Sequence, residues 1–174
     1  MTAENNKKYI IGPLEKKHDK TEFNCGVDVL NQYLKIQASQ DVKKNVAVTY
    51  ALSTPASEKI LGYYTLSSIG IFPGELPDEL VRRLPRYPAL PGILLGRLAV
   101  DSSCQGTGIG QYLLVDGLKR SLQVSNQIGI VAIIVDAKDN KAVKFYEHFG
   151  FLKLPENTHR LFLPISTIKK LELL

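Results

Sequence analysis

Apolar residues at Val27, Leu30, Leu34 and Ala38 recur at helical spacing, which predicts a helix opening after the turn Asn24-Cys25-Gly26. Tyr9–Ile11 before it reads as a short strand. Val46–Leu52 and Ile60–Ile71 are β-rich runs parted by Ser53-Thr54-Pro55-Ala56-Ser57, the pattern of an antiparallel hairpin. Phe72–Gly92 follows no period. It holds Pro73, Pro77, Pro85, Pro88 and Pro91, and only Asp78–Leu84 is fit for a helix, so it reads as a long surface excursion. Ile93–Val100 is an apolar strand, and Ile109, Leu113, Leu114, Leu118 and Leu122 mark the helix after it. Ile128–Val135 reads as a buried strand. Asp139 or Asn140 caps a further helix with inner face Ala142, Val143, Tyr146 and Phe149, and Gly150 stops it. Phe151–Leu154 and Leu161–Ile165 close the sheet, and Lys169–Leu174 is left as a tail. The order β-α-β-β followed by β-α-β-α-β-β predicts an α+β (α/β mixed) domain with a mixed sheet.

Composition narrows the class without choosing a function. A chain of 174 residues, 44% hydrophobic, can bury a core as one domain spanning residues 1–174. Met1–Lys8 lacks the apolar stretch of a signal peptide, and no apolar run approaches the roughly 20 residues of a membrane span; a soluble cytoplasmic protein is expected. Cys25 and Cys104 make no disulfide framework, and His18, His148 and His159 are scattered, so no metal site is expected. A net charge of +5 permits a polyanionic partner but does not demand one.

The chemistry concentrates in Gln105-Gly106-Thr107-Gly108-Ile109-Gly110, between a strand and a helix. A helix N-terminus presents unpaired N–H groups and the positive end of the dipole, and glycines let that backbone approach a ligand, which suits phosphate. A purely structural turn is the alternative. The Walker A loop fails, because Gly110 is followed by Gln111-Tyr112 and not by Lys-Ser/Thr. The dinucleotide fingerprint fails too, since it requires glycine where Gln111 stands. Gln105, Gly108 and Gly110 match a third pattern, Q/R-x-x-G-x-G/A, and Asn140-Lys141-Ala142-Val143-Lys144-Phe145-Tyr146-Glu147-His148-Phe149-Gly150-Phe151 follows as N-x-x-A-x-x-F-Y-x-x-x-G-F.

With these two elements the chain resembles the GNAT N-acetyltransferase superfamily. The resemblance implies the GNAT fold, a central, mixed, mostly antiparallel twisted sheet flanked by helices, and acetyl-CoA as cofactor. It implies that the pantetheine arm lies along Leu98, Ala99 and Val100, and that Gln105, Gly106, Thr107, Gly108, Ile109, Gly110 and Gln111 hold the pyrophosphate. Asn140 would bond the cofactor arm; a helix cap is its other reading. Tyr146 would meet the cofactor and protonate the leaving sulfur as general acid; membership of the apolar stripe is its other reading. Direct transfer is implied, with an acyl-enzyme on Cys104 as a lesser alternative.

The N-terminal run His18–Gly26, then Leu30-Asn31-Gln32-Tyr33-Leu34 and Gln37–Asp41, together with Leu95–Asp101 and Leu161–Pro164, is similar to the GNAT toxins of bacterial toxin–antitoxin pairs. That similarity implies acetylation of the α-amine of aminoacyl-tRNA, which blocks translation. It also implies a ribbon-helix-helix antitoxin, operator DNA bound only through the antitoxin complex, and a homodimer. Arg82, Arg83, Arg86 and Arg97 are the candidate tRNA contacts, because guanidinium groups hold phosphate bidentately; solvated surface charge is the alternative. Two other functions stay open on sequence: an N-acetyltransferase of a small amine or peptide, and a non-catalytic acyl-CoA-binding module.

Overall fold

The computed structural model describes residues 8–171. Its strands are β1 (Ile10–Pro13), β2 (Val48–Thr54), β3 (Ser57–Ile71), β4 (Leu90–Val100), β5 (Ala132–Asp136), β6 (Leu152–Lys153) and β7 (Arg160–Pro164). Its helices are α1 (Asp28–Gln32), α2 (Ala38–Lys43), α3 (Asp78–Val81), α4 (Ile109–Ser125), α5 (Asn140–His148) and α6 (Ile165–Lys170). The seven strands follow the order β1-β2-β3-β4-β5-β7-β6. β4 and β5 run parallel, while β1/β2, β2/β3, β5/β7 and β6/β7 are antiparallel. This is the mixed sheet that the element order predicts, mostly antiparallel as the resemblance implies.

Chain contacts fall into two compact units. The first comprises residues up to Ser67 with Arg97–Gly117. Its core is Phe23, Tyr33, Leu34, Ala38, Ile60, Tyr63 and Ala99 with their neighbours. The second comprises Ser68–Gly96 with the residues from Leu118 onward, around Ile71, Leu76, Leu90, Ile134 and Phe162.

Several boundaries move. The helix predicted from Val27 starts at Asp28, and a π-helical turn, Tyr33–Gln37, separates α1 from α2; such turns alter the helical register locally. β2 and β3 shift to Val48–Thr54 and Ser57–Ile71, closing the predicted hairpin more tightly. The excursion ends earlier than expected, because β4 already begins at Leu90. Ile128–Val135 is not all strand. Gln127 and Ile128 donate their N–H groups to Val124 O, at 2.9 and 3.0 Å, closing the end of α4; Ile128 is exposed and β5 begins only at Ala132. Of Phe151–Leu154 only Leu152–Lys153 forms a strand, with Leu154 N–H still donating to Arg160 O at 3.0 Å. Ile165, predicted to end the last strand, opens α6, where Ile165 and Ile168 are buried. The predicted tail is therefore helical up to Lys170, and residues 172–174 lie outside the described range.

Candidate active site

The loop from Asp101 to Gly110 lies in the first unit, and its shape comes from side chains tying it to the Asn24–Gly26 turn. Asp101 N–H donates to Leu61 O at 2.8 Å. Asp101 Oδ1 accepts from Asn24 N–H at 2.9 Å, and its Oδ2 accepts from Ser103 N–H and Oγ–H at 3.1 and 2.6 Å. Partial burial opposes ionisation of this carboxyl, but those hydrogen bonds outweigh it and hold Asp101 below its ordinary value. Ser102 N–H and Oγ–H both donate to Asn24 O at 2.8 Å. Gln105 Nε2 donates to Cys25 O at 2.9 Å and to Val100 O at 3.0 Å. The side-chain amide N–H groups of Gln105 thus fix the loop from behind. The Thr107 hydroxyl is likewise turned inward, onto Cys104 O.

What remains open is backbone. Gly106 and Gly108 have φ of +77° and +87°, and a Cβ at either would meet nothing within 4 Å. The left-handed glycines alternate with Thr107, an arrangement that turns successive N–H groups into an anion-binding concavity. Among the described residues, no backbone acceptor takes the N–H of any residue from Gly106 through Gln111; the first such bond is Tyr112 N–H to Gly108 O at 3.0 Å. The 17-residue helix α4 adds its positive end at this point. Ile109, Leu113 and Leu114 are fully buried and anchor it. Gly62 on β3 leaves room for that seating: a Cβ there would stand 2.8 Å from Leu113 Cδ1 and 3.2 Å from Ala99 O.

β4 registers with β5 over Gly92–Leu95 and then runs on through Gly96–Val100. Leu98 and Val100 are half-buried and Ala99 is buried. Extended backbone of this kind can accept an added, strand-like ligand. Arg97, at the start of this stretch, places its guanidinium 3.5 Å from the centre of the Tyr33 ring. Tyr33 is fixed in turn, its hydroxyl donating to Asp41 Oδ2 at 2.8 Å while Gln37 Nε2 donates to Asp41 Oδ1 at 2.8 Å. Burial, followed by the bond to Asp41, pushes the Tyr33 phenol up to about 12 against the opposing charge of Arg97.

Asn140 and Tyr146 sit on α5 in the second unit. Asp139 is the cap, its Oδ1 accepting from Ala142 N–H at 2.8 Å. Asn140 is exposed, and its amide has no partner among the described residues, so it is available to a ligand. The Tyr146 ring is buried against Phe145 and Phe151, edge to face, at 5.3 and 5.5 Å. Its hydroxyl bonds to no described residue, yet it is not among the sealed, unpartnered polar atoms; the oxygen therefore reaches an accessible surface. Burial, then the Asp136 carboxylate, pushes this phenol well above its ordinary value. The Asp136 carboxylate itself is held by Arg160, whose Nε and NH2 groups donate to it at 2.8 and 3.0 Å.

Arg82, Arg83 and Arg86 are exposed at and beyond the C-terminal end of α3, also in the second unit. None makes an ion pair among the described residues. Arg97 does not share their setting, being half-buried on a tyrosine in the first unit. The sequence assigns no individual role to Asn24, Asp101, Tyr33 or Asp41, although all four stand in runs that resemble the toxins. The Asp-Ser-Ser order at Asp101 was a readable turn signal, but nothing local announced its bond to Asn24.

The family model for the acetyltransferase (GNAT) domain matches residues 91–168. The chain is 30% identical to the probable toxin TacT of Sinorhizobium fredii, over 94% of this chain and 95% of that protein. It is 33% identical to a tRNA-acetylating toxin of Mycobacterium tuberculosis, over 88% of this chain and 90% of that one. Among solved structures, AtaT complexed with acetyl-methionyl-tRNAfMet superposes with a TM-score of 0.87 at 32% identity, covering 94% of this chain and 98% of AtaT. A tyrosine-to-phenylalanine form of AtaT, bound to the C-terminus of the antitoxin AtaR and to acetyl-CoA, superposes with a TM-score of 0.79 at 28% identity, with the same coverages of 94% and 98%.

Proposed function

The chain belongs to the GNAT acetyltransferase family, and from this we propose that it is the toxin of a toxin–antitoxin pair, transferring acetyl from acetyl-CoA to the α-amine of an aminoacyl-tRNA and so blocking translation. The observation that carries the donor half is the run of N–H groups from Gly106 to Gln111 without a backbone partner among the described residues, under the open space beside Gly106 and Gly108. This is a fit for a pyrophosphate, and a walled or side-chain-filled loop would not be. The acceptor half is supported by the relatives that acetylate tRNA or are seen with it.

The cofactor, when bound, supplies an acetyl group activated as a thioester. Gly106, Gly108, Ile109, Gly110 and Gln111 would receive its pyrophosphate through their N–H groups, with Gln105 and Thr107 holding the loop in shape. Leu98, Ala99 and Val100 would hold the extended arm by main-chain bonds, and a correctly aimed N–H there would stabilise the developing oxyanion by roughly 3 kcal/mol. Asn140 would bond the arm with its free amide. Tyr146 Oη would hand its proton to the leaving sulfur; its raised pKa keeps that proton in place up to alkaline pH. Arg82, Arg83, Arg86 and Arg97 would take the phosphates of the acceptor RNA.

The chain is read as one acetyltransferase domain over residues 1–174, working in the cytoplasm as a homodimer. Its antitoxin would be of the ribbon-helix-helix type, and operator DNA would be met only through their complex. No helix among the described residues is long and apolar enough to cross a membrane. The test is acetyl transfer from labelled acetyl-CoA to total aminoacyl-tRNA, with Tyr146→Phe alongside. Label on free small amines alone would replace this reading by that of a small-amine N-acetyltransferase, and cofactor binding without turnover by that of a binding module.

A further inference from the structure

The segment between β3 and β4 carries a feature that the acetyl-donor half of the site does not use. A groove of about 380 Å³ opens there, walled by Pro73, Val81, Leu84 and Leu90 and bordered by Arg86 and Tyr87. The volume is that of a small ligand site, not of a protein interface. Tyr87 is 61% exposed although it is a large aromatic residue. Its backbone is pinned, Pro85 and Pro88 flanking it and its N–H donating to Pro85 O at 3.1 Å. Arg82, Arg83 and Arg86 are exposed beside it in the chain without a carboxylate partner among the described residues. Among the described residues no carboxylate lines the groove; the acidic residues of the segment, Glu75, Asp78 and Glu79, come earlier in it.

We propose that this groove is a stacking site for an unpaired nucleotide at the 3′ end of the acceptor RNA, with the base on the Tyr87 ring and the flanking phosphates on Arg82, Arg83 and Arg86. An exposed aromatic ring beside guanidinium groups is the arrangement that binds unstacked nucleotides without reading a paired helix. Arginine serves here better than lysine because its planar fork grips phosphate and its face stacks. An apolar groove alone would suit a peptide equally; the uncompensated positive charge beside a free ring favours RNA. The inference rests on the tRNA reading for the identity of the RNA, but the groove chemistry is independent of catalysis.

The test uses the full chain, total uncharged tRNA, and the same tRNA trimmed of its unpaired 3′ nucleotides. Tyr87→Ala should weaken binding of intact tRNA about tenfold, while Tyr87→Phe, which keeps the ring, should change it little. Trimming should weaken the wild type by a similar factor and leave Tyr87→Ala unaffected, because both changes remove the same contact. Intact tRNA binding equally to the wild type and Tyr87→Ala would overturn the proposal, as would losses from trimming and substitution that multiply. Unchanged RNA binding with Tyr87-dependent binding of a glutamate- and leucine-rich peptide would overturn it in favour of a protein partner. Acetyl transfer to charged tRNA, measured in parallel, separates the two claims. Transfer by the wild type with Tyr87-independent RNA binding removes only the groove. Tyr87-dependent RNA binding without any transfer removes only the toxin reading.

Discussion

Tyr146 combines a buried ring with a hydroxyl that bonds to no described residue and is not sealed from solvent. A core tyrosine ordinarily satisfies its hydroxyl, so a ring that packs and an oxygen left for something else suit a proton donor. Tyr146→Phe should keep the fold and the affinity for acetyl-CoA, and lower kcat about a hundredfold or more. An unchanged kcat would return the residue to the core. Asp101 and Gln105 act differently, by shaping the loop. Asp101→Asn replaces an acceptor of three hydrogen bonds, from Asn24 and from both donors of Ser103, with a weaker one. It should raise the Kd for acetyl-CoA by about tenfold while kcat at saturation holds; isothermal titration with a kinetic series checks this. The places of Tyr146 and the glycines in the fold were legible in the sequence because helix spacing and strand–loop–helix order are local, while the roles proposed for them come from the resemblance. The bond from Asn24 to Asp101 spans 77 positions, and no local pattern carries it.

At the scale of elements, the active-site loop depends on how closely α4 seats on the sheet. Gly62 is the position that sets this, since an added methyl would meet Leu113 and the Ala99 carbonyl. Gly62→Ala should cost about 1–3 kcal/mol of stability and, where β4 holds the cofactor arm as proposed, weaken acetyl-CoA binding, because the Leu113 end can yield but the Ala99 carbonyl cannot move without shifting β4. Thermal unfolding together with cofactor titration reads both effects; a variant with wild-type Tm and Kd would show that the seating has slack. Long, periodic elements such as α4 and β4 were readable from sequence. The π-helical turn at Tyr33–Gln37 was not, since its apolar spacing still satisfies a regular helix. Nor was α6: only Ile165 and Ile168 of its 6 residues are buried, too few to set a period against a preceding strand. Ile128 misled for a related reason, being an apolar residue on an exposed turn that sequence assigns to the buried run beyond it.

For the whole molecule, the tyrosines give a global reporter. The chain has eight, and burial first of all raises the phenols of Tyr33, Tyr63 and Tyr146. Each is held protonated in the fold, whereas an unfolded chain ionises near pH 10. The stability they contribute is therefore complete below about pH 10 and is lost as pH rises above it. Absorbance at 295 nm should show a group of phenols lagging behind the rest until alkaline unfolding releases them together; one midpoint near pH 10 for all eight, with the fold intact, would contradict this. Mixed-sheet architecture was legible from element order alone. The acceptor was not, because a net charge of +5 and a few arginines are compatible with many anions, and only likeness to proteins that acetylate tRNA narrows the choice. The most direct measurement is therefore chemical. Purified protein, labelled acetyl-CoA and total aminoacyl-tRNA are incubated, and the ester bond is hydrolysed. Labelled N-acetyl amino acid should be released from tRNA, with none formed without protein and far less with Tyr146→Phe; charged tRNA that stays unlabelled while the protein binds acetyl-CoA would contradict aminoacyl-tRNA as the acceptor.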